Sequence, residues 1–565
     1  MKTNVKVLLE VTAIVIGTSI GVHLVYELIT YIRKDRALRI GTIHTNVLQP
    51  ARGNIHDACG RLLACTDTTY DLHLDCAVLM ATFRDSAHRD SVTGQLASCL
   101  ATVLTQKDSA AWQEHIYTGC KNGNKYLRIA KGVSKKTADE VKSFPVFRLH
   151  PFRGGGIIEP VYQRIYPFGM LGRSTIGDNR HAVRKYGLER SYDSVLSGRE
   201  GRKTLRCGRY EGHSIKKVSE YIPAKDGCDI YLTLNIDMQA AADSILRAEI
   251  KNNEEIAEGC FVLMEKNGAI RAMVNLSQTE DGLFELRNMA IEKLCSPGSI
   301  GQIMTYAALL GDGYIHSFSD TIATRNGLIM RELPRDEHIV DYERRNSASS
   351  ISIRDGFAMS SRYVPGMLAN KYYGDAPEKF SSRIQSFLPD FTFDLDGLRN
   401  NVFPEPGSRV WCSRDLPVMA YGYGLFVTPL GCVSYYNAIL NQGNIEPPFL
   451  VERIVEKGVQ VKLHETVSLG QIMPEHVADT LLRELRYASC SDEYIGMSSM
   501  VRIPTSNNNR SEKNAKYAYS SIGFFPEPEP RYTVICMLYT KATNKSFYRG
   551  KRAVENVVNE FAKRL

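Results

Sequence analysis

The sequence predicts an α+β architecture: an apolar N-terminal helix, an elongated α/β segment, and a C-terminal domain built around one antiparallel sheet. Three observations lead there. β-like runs gather at both ends of the later half with helical runs between them, the pattern of a sheet covered by helices. From about residue 40 to 222, short β-like runs alternate with charged helical ones and no internal repeat occurs. Val5 to Ile32 is the only long apolar stretch in the chain. At 565 residues the chain exceeds one ordinary domain, which sets an expectation of two to four folded units.

Taken in order, the apolar stretch comes first. Its centre, Val11 to Tyr26, holds one histidine and no formal charge, and about 20 residues of helix span a bilayer. No small-residue cleavage site follows, so an uncleaved signal anchor is expected, with a cytoplasmic tail over 1–8 and a membrane span over 9–32. Lys2 and Lys6 precede the run, whereas Arg33, Lys34, Arg36 and Arg39 follow it. Charge balance alone therefore leaves the orientation open. A folded segment over 40–222 comes next, then a turn signal at Ile222-Pro-Ala-Lys-Asp-Gly227 that opens a second domain over 223–565. Asp229 to Leu234 reads as a strand and Asp237 to Ile250 as a helix. Gly259 to Met264 and Ala269 to Val274, joined by Lys266-Asn267-Gly268, read as a β-hairpin with an Asn-Gly turn. A last strand pair over Ala518 to Phe525 and Arg531 to Tyr539, then a helix from Arg552 to Leu565, close the chain.

Composition excludes several functions. The net charge of +8, spread over 70 basic and 62 acidic side chains, supplies no concentrated basic stripe, so nucleic acid is not an expected partner. The 13 cysteines are scattered without C-x-x-C pairs or Cys/His clusters, so neither a metal site nor a cofactor is expected. Cys260, Cys432 and Cys536 sit in apolar contexts and read as small buried hydrophobes. His23, His115, His213, His464 and His476 form no nucleophile-base-carboxylate pattern and read as structural.

Several motifs in fixed order carry a resemblance. Arg52-Gly-Asn-Ile-His-Asp57 with Gly60-Arg-Leu-Leu-Ala64 resembles the R-G-x-I-x-D-x-x-G-x-x-L-A signature that follows the membrane anchor in class B penicillin-binding proteins. Tyr166-Pro167, Gly177 and Gly187-Leu-Glu-Arg-Ser-Tyr-Asp193 resemble that family's pedestal motifs. Leu232-Thr-Leu-Asn-Ile-Asp237 with Gln239 is similar to its entry into the transpeptidase domain. Tyr421-Gly-Tyr-Gly424, Val427-Thr-Pro-Leu430 and Asn441-Gln-Gly443 resemble the back of its site. Phe524-Phe-Pro526 and Pro530-Arg-Tyr532 resemble its last strands. The resemblance is to the division-type, FtsI-like peptidoglycan D,D-transpeptidases. It implies a dimerisation or pedestal domain over 40–222, a serine-β-lactamase-like transpeptidase domain over 223–565, and a single-pass protein of the cytoplasmic (inner) membrane whose large C-terminal part lies on the extracytoplasmic side.

The family's chemistry is serine acyl transfer, which needs a nucleophile, a base and oxyanion donors, supplied by S-x-x-K, S-x-N and K-T-G motifs. Cys295-Ser-Pro-Gly-Ser299-Ile-Gly-Gln302 stands in the first place: Ser299 is the candidate nucleophile, and Gln302 replaces lysine. Residues three apart share a helix face, and a neutral amide cannot take the serine proton. The same serine would suit a helix N-cap, and without the lysine the cap role is the expected one. Ser360-Ser-Arg362 stands for the second motif, with Arg362 in place of asparagine and Ser360 left as a possible proton relay. The third should fall between Met500 and Asn509, as Arg502-Ile-Pro504 or Ser506-Asn-Asn508, and neither register restores Lys-Thr-Gly. Trp411 resembles a packing tryptophan ahead of the Gly-Tyr-Gly segment.

Three functions follow as expectations. The first is a catalytically impaired transpeptidase that serves peptidoglycan synthesis during division as a scaffold or regulator. The resemblance implies a membrane glycosyltransferase and small bitopic division proteins as its partners. The second is an active D,D-transpeptidase with a rewired base. The third is a non-catalytic module that binds peptidoglycan stem peptides.

Overall fold

The computed structural model describes residues 2–40, 42–179, 185–210, 213–324, 349–409, 411–465, 467–489, 491–503, 516–541 and 547–565. Two compact units emerge, and each draws on separated stretches of chain: Met1–Gly53 with Ser194–Cys228, and Asn54–Asp193 with Asp229–Leu565.

In the first unit the apolar run lies on one continuous helix, Lys2–Ile40. Its side chains from Ile20 to Ile32 are mostly apolar: Ile20, Val22, Leu24, Val25, Tyr26, Leu28, Ile29, Tyr31 and Ile32 are each between 43% and 70% exposed, while His23, Glu27 and Thr30 fall on one face at helical spacing. Among the described residues no helix is long and apolar enough to cross a membrane, and the side chains of 1–17, the first half of the run, fall outside that set. A three-stranded antiparallel sheet follows, in the order Thr42–Leu48, Gly201–Tyr210, His213–Ile222. Loop backbone closes this unit. Gly53 N–H donates to Leu196 O at 2.9 Å, and a Cβ on Gly53 would stand 1.9 Å from Cys228 O, so glycine is required there.

The second unit holds two large sheets and a two-stranded pair of Thr321–Ala323 with Ser350–Ser352. One is seven-stranded and ordered Val459–Leu463, Val451–Glu456, Asp229–Leu232, Ile55–His56, Leu62–Leu74, Leu127–Val133, with Gly156–Ile165 paired to Leu62–Leu74. The motif aspartate Asp57 works here as a buried turn anchor. Its carboxylate accepts from the N–H groups of Cys59 (2.9 Å) and Arg61 (2.8 Å) and from Arg61 Nε (2.9 Å). It also accepts from Ile236 N–H at 3.3 Å, at the start of the helix Ile236–Asn252.

The other sheet is six-stranded and wholly antiparallel, ordered Gly282–Phe284, Ile270–Thr279, Ile256–Glu265, Tyr532–Thr540, Lys516–Phe525, Ile495–Ile503. The expected hairpin is its centre, with Gly268 at φ +90° in the Asn-Gly turn, where a side chain would be strained. The two helices Ile236–Asn252 and Phe547–Arg564 cover one face. Ala242, Leu246, Val554, Val557 and Phe561 pack there on Phe261, Leu263, Val534 and Leu538. Burial of that many aliphatic and aromatic side chains, at about 1.5–3 kcal/mol each, dominates the stability of this layer. Ile495–Ile503 is the sheet's edge strand, and its free side positions the site.

Candidate functional site

Ser299 does not begin an α-helix. Gly298–Gly301 form a 3-10 turn, and the α-helix starts at Gln302 and runs to Gly311. The Pro-Gly pair forces this tighter turn: Gly298 adopts φ +61°, which an L side chain resists. Nor is Ser299 a cap, because the turn has no side-chain capping bond and Pro297 stands at the N-cap. In a 3-10 turn residues i and i+3 eclipse, so Gln302 lies directly over Ser299. Its side chain is 1% exposed, and neither Oε1 nor Nε2 has a hydrogen-bond partner among the described residues.

Two backbone approaches set the turn against its neighbours. Gly298 N–H donates to Gly422 O at 2.8 Å, and a Cβ on Gly422 would stand 2.0 Å from Gly298 O. The Gly-Tyr-Gly motif is thus a close-approach device behind the serine. On the other side lies the edge strand: Ser299 N–H donates to Ser499 Oγ at 2.8 Å, and a Cβ on Gly298 would come within 2.3 Å of that oxygen. Tyr436 OH donates to Ile300 O at 2.8 Å and Thr305 Oγ1 to Ala420 O at 2.7 Å, fixing the turn and the helix behind it.

The strand segment that faces Ser299 is therefore Ser498-Ser499-Met500, which precedes both registers considered from sequence. Arg502 and Ile503 lie further along the strand, while Pro504 and Ser506 to Asn508 fall outside the described residues. The missed signal is the pairing of Met497 with Ile522 and Ser499 with Ser520, countable back from Gly523 across the hairpin.

The second segment converges on the same strand. Arg362, at the N-cap of the helix Tyr363–Tyr373, donates from Nη2 to Tyr423 OH at 2.8 Å. Tyr423 OH in turn donates to Met500 O at 2.8 Å. The guanidinium also sits 5.8 Å from the Tyr421 ring centroid and 4.7 Å from that of Tyr423, cation–π contacts that hold it in place. Ser360 is left-handed at φ +55°, a conformation uncommon for a residue with a side chain. It lines a small open cleft of about 70 Å³ with Ser491, Ser498, Lys551, Glu555 and Asn559. Ser498 donates its hydroxyl to Glu555. Lys551, Glu555 and Asn559 share one face of the terminal helix at spacing four, and none of them was marked by sequence. Ser299 is not among the residues lining that cleft.

Other cations nearby are committed. Burial pulls the Lys293 ammonium pKa down, with Glu258 acting against it as ion-pair partner, and the ammonium stands 3.3 Å from the centroid of the Tyr539 ring. Of the expected structural histidines, His115 pairs with Arg128 O at 2.9 Å and His464 stacks on Phe449. No group of three or more metal-ligating side chains occurs among the described residues.

Chemically, Ser299 reaches the edge strand at Ser499 and Arg362 reaches it through Tyr423 at Met500, whereas Ser360 lines a separate cleft beside Ser498. An acyl-transfer site needs a proton acceptor and backbone donors free to meet an oxyanion. Here the residue over the serine is an amide, and the serine N–H is already given to Ser499.

Comparison with known proteins agrees with this geometry. Residues 259–563 match the penicillin binding protein transpeptidase domain, and residues 47–232 match the penicillin-binding protein dimerisation domain. The chain is 24% identical to the peptidoglycan D,D-transpeptidase FtsI of Buchnera aphidicola subsp. Baizongia pistaciae, over 91% of this chain and 86% of that one. It is also 24% identical to the stage V sporulation protein D of Bacillus subtilis, over 77% and 67%. Among solved structures, penicillin binding protein 2X from Streptococcus thermophilus superposes with a TM-score of 0.70 at 18% identity, over 92% of this chain and 80% of that one. A peptidoglycan synthetase from Bifidobacterium adolescentis superposes at 0.69 and 18%, over 92% and 96%. With the transpeptidase domain matched over more than half its length, the chain belongs to the class B penicillin-binding proteins, in the FtsI-like transpeptidase family.

Proposed function

We propose that this protein is a catalytically impaired class B penicillin-binding protein that acts in cell-wall synthesis during division as a scaffold or regulator of a membrane glycosyltransferase. The observation that carries the reading is the surroundings of Ser299. A buried amide without a hydrogen-bond partner among the described residues stands where a base should be, and Ser499 occupies the serine N–H. Loss of a general base alone costs about two to four powers of ten in rate, and removal of an oxyanion donor about two to three more. Effects of groups that act as a unit do not add, yet each alone is disabling. Tyr423, held by Arg362 where the family carries asparagine, further occupies Met500 O, a backbone acceptor on the edge strand.

The domain layout in this reading is a tail over 1–8, a membrane anchor over 9–32, a pedestal over 40–222 and a transpeptidase-like domain over 223–565, with everything past residue 40 outside the cytoplasmic membrane. The many exposed apolar side chains of the first helix support the anchor, since a bilayer is the solvent that suits them. A polytopic glycosyltransferase and small bitopic division proteins are the partners, and stem peptides are at most bound.

Incubation of the purified protein with a fluorescent β-lactam tests the reading, because acylation needs the nucleophile and its activation but not the natural substrate. No covalent labelling is expected, in the wild type or in Ser299→Ala. Stoichiometric labelling lost in Ser299→Ala would overturn impairment and restore the alternative of an active transpeptidase with a rewired base.

A further inference from the structure

Far from the serine, two cysteines are brought together by backbone. Cys76 is the first residue of the helix Cys76–Thr82 and is fully buried; Cys120 is the penultimate residue of the helix Ser109–Lys121 and is half-buried. Asp75 caps the first helix by accepting from the N–H groups of Ala77 (3.0 Å) and Val78 (3.2 Å). The N–H of Cys76 itself reaches to the other helix end and donates to Asn124 O at 3.0 Å. Asn124 N–H donates back to Gly119 O at 3.0 Å, beside Cys120. Both cysteines belong to one apolar cluster with Leu79, Trp112 and Ile116. Their thiols face each other closely enough that each is the largest influence on the other's ionisation, Cys120 shifted down and Cys76 up, with the nearby Arg89 charge also favouring the Cys120 thiolate. Both are free thiols in this structure.

We propose that Cys76 and Cys120 are a resolving pair that closes into an intrachain disulfide when it meets a small-molecule disulfide oxidant of the glutathione class. The half-buried Cys120 thiolate attacks the oxidant R–S–S–R, forming a mixed disulfide and releasing one RS⁻. The Cys76 sulfur then attacks the Cys120 sulfur as its proton passes to the departing group, expelling the second RS⁻ as RSH. Two thiols are oxidised and one oxidant disulfide is reduced to two thiols. The bond ties the start of one helix to the end of the other across the cluster, closing the chain between them and restricting the unfolded state. The inference does not depend on the reading of Ser299 or on membrane topology, since the oxidant is supplied.

The test uses the full chain in detergent, held first in reductant, then exchanged into oxidised glutathione, alkylated and mapped without reduction. The expected result is a linked peptide pair containing Cys76 and Cys120 that disappears on reduction. In the single variant Cys76→Ser, a stable glutathione adduct should accumulate on Cys120. Reductant should lower the apparent Tm of the oxidised wild type by several degrees and leave Cys76→Ser/Cys120→Ser unmoved. Alkylation of both cysteines after oxidation, or linkage of either to Cys99 instead, overturns the proposal, and the wild-type map alone decides it if the variants fold poorly.

Discussion

Replacing Gln302 by methionine should stabilise the protein. Gln302 is 1% exposed, and both atoms of its amide lack a partner among the described residues. Burying an unpaired amide costs about 1–3 kcal/mol on protein mutational scales. Methionine is unbranched, nearly equal in volume and adaptable, and volume-conserving swaps in a core cost less than about 1.5 kcal/mol. The side chain is buried in a helix whose residues Ile303, Met304, Tyr306 and Ala307 are buried too. The two terms leave a net gain of about 1–2 kcal/mol. For a domain of this size about 2 °C per kcal/mol is the appropriate conversion, so the thermal transition should rise by about 2–4 °C in scanning fluorimetry of the full chain in detergent. A drop in the transition temperature would refute the reasoning, because it would mean that the amide is satisfied in the folded protein and that its polarity is used. The same variant should leave β-lactam labelling at background.

Three further outcomes follow. Phe561→Ala, at a fully buried ring 4.7 Å from Phe261 and 6.0 Å from Phe525, should cost about 3–5 kcal/mol in equilibrium unfolding; a loss below about 1 kcal/mol would show that the terminal helix is not part of the cooperative core. Arg164→Met removes the ion-pair partner of the fully buried Glu189, 2.7 Å away, and should cost about 3–5 kcal/mol by leaving that carboxylate uncompensated, whereas the double variant Arg164→Met/Glu189→Leu should recover most of it. Burial raises the Glu285 carboxyl to about 8 despite the donors Ser174 and Gly172. The folded state thus holds a proton that the unfolded state releases above about 4.3, so Glu285 lowers stability as pH rises from there to about 8, by at most about 1.4 kcal/mol per pH unit. Glu285→Gln should flatten that part of a Tm–pH profile, and an unchanged slope would assign it to other groups.

Much of this molecule could be read from local pattern. The hairpin at Asn267-Gly268, the strand pair that ends at Tyr539 and the terminal helix follow from hydrophobic period and turn chemistry, which act over a few residues; the strand pair has nearly the expected bounds, while the hairpin's second strand runs on to Thr279 and the helix starts five residues earlier, at Phe547. The order of motifs carried the family, and with it the antiparallel domain that the matches support. The replacements Gln302 and Arg362 were equally plain, since side-chain identity is sequence.

What the residues next to one another could not decide is who meets whom across long separations. Whether Ser299 caps a helix or sits in a 3-10 turn depends on Gly298 and Gly422 pressing two backbones together, 124 positions apart. Which strand residues face the serine depends on a register set by pairing with Lys516–Phe525, and a shift of a few residues separated Ser498-Ser499-Met500 from the expected segment. The compact units interleave stretches of chain because Asp229–Leu232 pairs in parallel with Ile55–His56, an association between residues 55 and 230 that no local propensity encodes. Period and propensity report on one element's own faces. Register, close approach and the occupancy of a donor such as the Ser299 N–H are properties of pairs, and only the folded chain brings those pairs into contact.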